Sequence, residues 1–164
     1  MHPDVVQTQQ LNEFYCFCPV EYMSKNLREK ILKVIKGRKL ASLATIAGGR
    51  PWVRYAVSHN QGLNLNLYIC TYRDSRKVRQ IEKNPNVHVT IGGDIDNLDA
   101  PYVQIAAKAR VRSDKALRKK YWQNFMKKYY SGPDDPQYVI LELKPELIEY
   151  MSSEMRLPQI YRMS

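Results

Sequence analysis

Between Ser24 and Lys36 the apolar residues Leu27, Ile31, Val34 and Ile35 keep the i, i+4, i+7, i+8 spacing of one helical face. Ser24 stands where an N-cap would and Gly37 where the helix would stop. From Lys39 the period changes to two. Leu40–Ile46 runs into Gly48-Gly49, and Trp52–Ser58 runs into Asn60-Gln61-Gly62. Leu63–Thr71 places Leu63, Leu65, Leu67 and Ile69 on one face against Asn64, Asn66 and Tyr68 on the other. Alternation broken by turn residues predicts three strands of an antiparallel meander. A short helix over Asp74–Lys83, stopped by Asn84-Pro85, precedes a fourth predicted strand, Val87–Ile91, and a loop from Gly92 to Ala100. Tyr102–Arg112 alternates cleanly, with Val103, Ile105, Ala107, Ala109 and Val111 inward, and is the fifth strand. Leu117, Tyr121, Phe125 and Tyr129 then recur every four residues behind the cap candidates Ser113 and Asp114, predicting one long helix that Gly132-Pro133 end. Tyr138–Lys144 is the sixth strand. The pattern predicts a mainly β fold: a six-stranded antiparallel barrel with flanking helices, which removes exposed sheet edges. Residues 1–23 show no sustained period and are predicted as an irregular arm, and residues 151–164 as a C-terminal tail.

At 164 residues the chain reads as one domain, long enough to bury roughly 70% of its unfolded surface without disulfide or metal staples. It contains no apolar run approaching the roughly 18 residues of a membrane span, and its start, Met1-His-Pro-Asp, lacks the pattern of a secretory signal. A cytoplasmic protein with no membrane partner is expected. Three cysteines, Cys16, Cys18 and Cys70, make neither a disulfide framework nor a complete zinc set, so no metal site is expected. The balance of 26 Lys+Arg against 16 Asp+Glu, a net charge of +10, suits an anionic partner: nucleic acid, an anionic membrane or a phosphorylated small molecule. Two of the three basic stretches, Lys25–Lys39 and Arg110–Lys128, read as amphipathic helices whose lysines face solvent.

The third basic stretch is different. In Thr71-Tyr-Arg-Asp-Ser-Arg-Lys-Val-Arg-Gln-Ile a strand ends at Thr71 and a helix starts near Asp74, so Ser75, Arg76 and Lys77 fall in its first turn. Cations there oppose the helix dipole, a conflict that a bound phosphate resolves by using both the free N–H groups and the charged side chains. Asp74 capping an ordinary surface helix is the alternative.

Three segments then stand in a telling order: Pro51-Trp-Val-Arg-Tyr-Ala-Val, Leu67-Tyr-Ile-Cys-Thr, and Ser75-Arg-Lys-Val-Arg-Gln-Ile-Glu-Lys-Asn-Pro-Asn-Val. Together they resemble the FMN-binding split barrels of the pyridoxamine 5′-phosphate oxidase-like family, over about Leu27 to Tyr150. The closing Lys-Pro-Glu-Leu-Ile-Glu-Tyr is most similar to the general-stress-protein branch. The resemblance implies that Arg54, Ser75, Arg76 and Lys77 hold the FMN phosphate. It also implies that the backbone of Tyr55, Ala56 and Val57 faces the flavin ring, with Cys70 and Thr71 nearby. Gln104 is implied as an approach from a second subunit, because the family places its cofactor at a homodimer interface. An Arg fork plus a Lys point charge at a helix start is good phosphate chemistry. The Arg-x-His pattern that the oxidase proper uses for its vitamin substrate is missing from Met155-Arg-Leu-Pro-Gln-Ile-Tyr-Arg-Met, so true pyridoxamine phosphate oxidase activity is not expected. His59 stands where the oxidase has a lysine and is expected as a surface imidazole beside a turn; Cys70 is expected to pack.

The function expected is that of an FMN-dependent oxidoreductase passing two electrons between a small-molecule donor and an acceptor, with no side chain required as acid or base. The second reading is a module of the same fold that holds FMN, haem or a deazaflavin without turnover. A third is a basic nucleic-acid-binding barrel, but the cations are not interleaved with aromatics along a strand groove, so nucleic acid is not the expected partner. No Ser-His-Asp set, Walker loop or Gly-x-Gly-x-x-Gly turn is present to support a hydrolase, a kinase or a dinucleotide fold.

Overall fold

The computed structural model describes residues 20–163. Helix α1 (Val20–Ile35) leads into β1 (Gly37–Ala47), β2 (Arg50–Asn60) and β3 (Leu67–Tyr72), then α2 (Arg76–Lys83), β4 (Asn86–Gly92) and β5 (Tyr102–Arg112). Helix α3 (Lys115–Tyr121), a 3₁₀ turn (Asn124–Lys128), β6 (Tyr138–Met151) and β7 (Gln159–Arg162) complete the chain. Every ladder is antiparallel, in the order β3-β2-β1-β4-β5-β6-β7, and β3 also pairs with β6, so six strands close into a barrel. Strand β6 makes closure possible by its length. Tyr138–Leu143 pairs with β3, Leu147–Tyr150 pairs with β7, and β5 runs along its other edge.

The interior is built by alternation: Ala41 and Leu43 of β1, Val89 and Ile91 of β4, and Val103 and Ile105 of β5 are buried together, and Ile31, Val34 and Ile35 of α1 join the same core. A second, aromatic cluster lies outside the β3–β6 wall, where Tyr121, Met126, Tyr130, Tyr138 and Ile140 pack with Tyr68, Cys70 and Trp122. Among the described residues no helix is long and apolar enough to cross a membrane.

Several expectations are corrected. Helix α1 begins at Val20, so Ser24 lies inside it and is not its cap, and residues 20–23, expected in the irregular arm, are helical; the rest of that expectation, with Cys16 and Cys18, lies outside the described residues. Strand β3 begins at Leu67, four residues later than its alternation predicts. Asn60 takes the intervening backbone into a turn: its Nδ2 donates to Asn64 O and Asn66 O, both at 2.8 Å, and its Oδ1 accepts from Gly62 N–H at 2.7 Å. Leu63 is consequently 80% exposed.

The long helix is two short pieces. Asp114 caps α3 by accepting from Leu117 N–H, but at Trp122 the chain turns extended (φ −66°, ψ 136°). This sends the indole edge-on against Tyr138, 5.5 Å between centroids, and leaves Phe125 and Tyr129 exposed. The predicted tail carries a seventh strand, β7, on the free edge of β6. Strand β6 itself runs seven residues beyond Lys144, through Pro145: the proline opposes Ala107, and the register shift between Ala106 and Ala107 leaves the next residue, Glu146, as the extra residue of a bulge.

Candidate functional site

Strand β2 is fully paired on one side and almost unpaired on the other. Its ladder with β1 is continuous from Gly37↔Asn60 to Ala47↔Arg50, whereas with β3 it forms only Ser58↔Ile69 and His59↔Tyr68. Continuing that register would oppose Val57 to Cys70, Ala56 to Thr71 and Tyr55 to Tyr72, and none of these pairs forms. The barrel is therefore split along this seam. Its two lips carry main-chain N–H and C=O groups outside any ladder, the groups that a strand edge offers to a ligand. Both lips are anchored from behind, β2 by β1 and β3 by β6.

At the end of the seam stand three cations. Ser75 caps α2 in extended conformation (φ −64°, ψ 147°) with no side-chain cap bond, and the first turn of the helix contains no acidic residue. The hydroxyls of Thr71 and Ser75 lie 3.4 Å apart. Arg76 and Lys77 follow, their N–H groups among those a helix start leaves without an internal partner. Arg54 reaches the same place from β2. Its Nη1 donates to Thr45 Oγ1 at 2.7 Å and Leu43 O at 3.1 Å, and its Nη2 donates to Gln80 Oε1 at 2.8 Å. Thr45 in turn donates to Gln80 Oε1 at 2.7 Å. The guanidinium of Arg76 lies over the Trp52 ring, 4.8 Å from its centroid.

The electrostatics show a cluster lacking its counter-charge. Burial, and then the neighbouring Arg76, lowers the pKa of Arg54; burial, and then Arg54, lowers that of Lys77. Among the described residues none of the three forms an ion pair, and Asp74 makes none with them. A dianion placed here would offset the repulsion among the cations and favour their charged forms against the cost of burial, and the donors, a fork, an ammonium, a hydroxyl and a helix start, are those phosphate takes. The residues present fit a phosphate.

The remaining candidates divide by strand parity. Tyr55 and Val57 turn their side chains to the outer face of the sheet and Ala56 turns inward, so all three border the seam through their backbone. Thr71 points inward and is 5% exposed, while Cys70 points outward into the aromatic cluster, its Sγ 3.3 Å from Tyr138 Oη. Burial pushes the Cys70 thiol up, which keeps it protonated. Gln104 is not at the seam of its own chain. It lies on the outer face in the cross-strand row Tyr55–Ser42–Thr90–Gln104–Glu149.

His59 corrects the expectation of a surface imidazole. It is 9% exposed, packed edge-on to Tyr121 at 6.0 Å, with its pKa lowered by burial and by Arg38. Thr45 and Gln80, which hold Arg54, are additions to the sequence reading. Thr45 has the inward parity of Ala41 and Leu43, and a hydroxyl in that register needs a buried partner.

The model of the family described as pyridoxamine 5′-phosphate oxidase matches residues 27–152. General stress protein 26 of Bacillus subtilis is 35% identical over 134 residues, covering 82% of this chain and 94% of that protein. The crystal structure of general stress protein 26 from Bacillus anthracis superposes with a TM-score of 0.72 at 32% identity, over 84% of this chain and 99% of the other. A heme binding protein from Mycobacterium smegmatis shares the fold alone: TM-score 0.65 at 16% identity, over 82% of this chain and 57% of the other.

Proposed function

The chain belongs to the pyridoxamine 5′-phosphate oxidase family, and on that premise we propose that it is an FMN-binding oxidoreductase whose cofactor occupies the β2–β3 seam. The observation that carries this reading is the convergence of Arg54, Arg76 and Lys77, with no carboxylate partner among the described residues, at the end of two unpaired strand lips. When bound, FMN supplies the two-electron chemistry between a small-molecule donor and an acceptor. The chain supplies the rest. Arg54, Ser75, Arg76 and Lys77 hold the phosphate, with Thr45 and Gln80 fixing the Arg54 fork. The backbone of Tyr55, Ala56, Val57, Cys70 and Thr71 orients the ring edge without a flexible side chain.

We further propose a homodimer built on the outer face of β1 and β2. Leu40, Val53, Tyr55 and Val57 are 64%, 66%, 76% and 45% exposed there, an apolar surface that a single chain leaves in water. A second copy would cover it, exclude water from the flavin and bring its Gln104, which shares that face, toward the first copy's seam.

Riboflavin, which lacks the phosphate, tests the central assignment. Two or more charge-assisted hydrogen bonds at about 1.5–3 kcal/mol each make FMN tighter than riboflavin by at least about 100-fold in a fluorescence titration of cofactor-free protein. Equal affinity for the two would remove the phosphate site.

A further inference from the structure

The cleft uses only part of α2. Arg76, Arg79 and Lys83 recur at i, i+3 and i+7 on one side of the helix, and Lys77 sits about 100° round from Arg76. Facing this row is the β1–β2 turn, where Gly48 and Gly49 hold φ +59° and +70° and no side chain projects from the turn's tip. The two walls enclose a groove of about 540 Å³. Its lining has three cations and no carboxylate, with Ile46 and Ala47 as an apolar wall. Among the described residues none of the three cations is in an ion pair.

Gln80 forms the floor and shows what the groove lacks. The residue is 7% exposed. Its Oε1 accepts from both Thr45 and Arg54, which fixes the amide so that Nε2 carries the donors, and none of the described hydrogen bonds uses Nε2. Nε2 is therefore a donor left free at the open side of an otherwise buried side chain, in a groove lined by cations without ion pairs, and an acceptor-rich anion would meet all of them.

We propose that this groove is a second anion site, separate from the β2–β3 seam, which takes the phosphate or diphosphate of a nucleotide-like small molecule. Arg79 and Lys83 hold the charge, Gln80 Nε2 donates to a phosphoryl oxygen, and Ile46 and Ala47 contact the apolar part. Arg76 and Gln80 border both sites, so the test rests on Arg79 and Lys83, which the seam does not use.

Calorimetric titration of the full chain with ADP, pyrophosphate and adenosine, in about 150 mM salt where charges are screened beyond about 8 Å, reads the site directly. ADP binds saturably, pyrophosphate binds more weakly and adenosine does not bind. The double variant Arg79→Ala/Lys83→Ala weakens ADP by about tenfold or more, and Lys77→Ala leaves it within about twofold. ADP affinity that survives the double variant, or that Lys77→Ala abolishes, overturns the proposal. Pyrophosphate binding as tightly as ADP overturns the role of the apolar wall. Lys77 belongs to the seam alone and Arg79 and Lys83 to the groove alone, so the contrast between these variants lets the groove and the FMN reading fail or stand separately.

Discussion

Replacing Lys77 with methionine removes one of three mutually repelling cations while keeping an unbranched stem of similar length. Affinity for FMN should therefore fall while the stability of the cofactor-free chain does not. One charge-assisted hydrogen bond of about 1.5–3 kcal/mol corresponds to a loss of about 10- to 150-fold in affinity. The stability arm follows from the Lys77 ammonium, whose pKa burial and Arg54 hold below the ordinary 10.5. The folded chain thus binds that proton less tightly than the unfolded chain, and stability rises with pH through the window just below 10.5. Lys77→Met abolishes that rise, and at neutral pH its cofactor-free form melts no lower than wild type. Flavin fluorescence quenching gives the affinity, and thermal unfolding at neutral and mildly alkaline pH gives the stability. A variant that binds FMN like wild type refutes the phosphate assignment. One that is destabilised without cofactor makes Lys77 a structural residue.

Three other outcomes are expected. Burial raises the phenol pKa values of Tyr121, Tyr130 and Tyr138 well above the ordinary 10.0. The unfolded chain therefore loses those protons first, so their contribution to stability is intact below pH 10.0 and shrinks as pH climbs above it; an absorbance titration in which all twelve tyrosines ionise together in the folded chain contradicts this. Gly92→Ala places a Cβ 2.5 Å from Pro101 O and 2.9 Å from Tyr102 Cα at φ +96°. Strain of that kind costs at least about 1–3 kcal/mol, read as a lower urea midpoint; an unchanged midpoint argues against the packing of this turn. Tyr55→Glu puts a charge on the proposed dimer face, and sedimentation velocity should show a monomer with weakened FMN binding, whereas an intact dimer moves the interface elsewhere.

Much of the barrel was legible because strand parity is a two-state signal. The alternation of Val103, Ile105, Ala107 and Ala109 locates β5 at Tyr102–Arg112, and Asn84-Pro85 ends α2 where expected, whereas the helix starts at Arg76 with Ser75 as its cap, two residues after the Asp74 start the sequence predicts. What escaped depended on partners distant in sequence. Tyr121, Phe125 and Tyr129 satisfy a helical period, yet the aromatic cluster against Tyr138 draws Trp122 out of the helix, and tertiary packing outweighs a few tenths of a kcal/mol of propensity per residue. Strand β7 is four residues long and exists only because β6 offers an edge. Leu63 alternates correctly but loses to the Asn60 turn, whose bonds to Asn64 and Asn66 no periodicity registers.

The cation cluster was legible for a different reason. Lys77 and Arg76 at a helix start contradict the dipole, and a local contradiction is visible in a sequence. Thr45 and Gln80 contradict nothing locally; only the fold brings them to Arg54, from positions 9 and 26 residues away.

Whether FMN is the resident cofactor is read from the visible absorption spectrum of the protein purified without added cofactor, together with the mass of the chromophore released on denaturation. FMN held in the seam gives a flavin band near one equivalent per chain, restored by FMN if the protein is isolated empty, and a released mass equal to that of FMN. A haem-like band, a deazaflavin mass, or a colourless protein that takes up no FMN would contradict it.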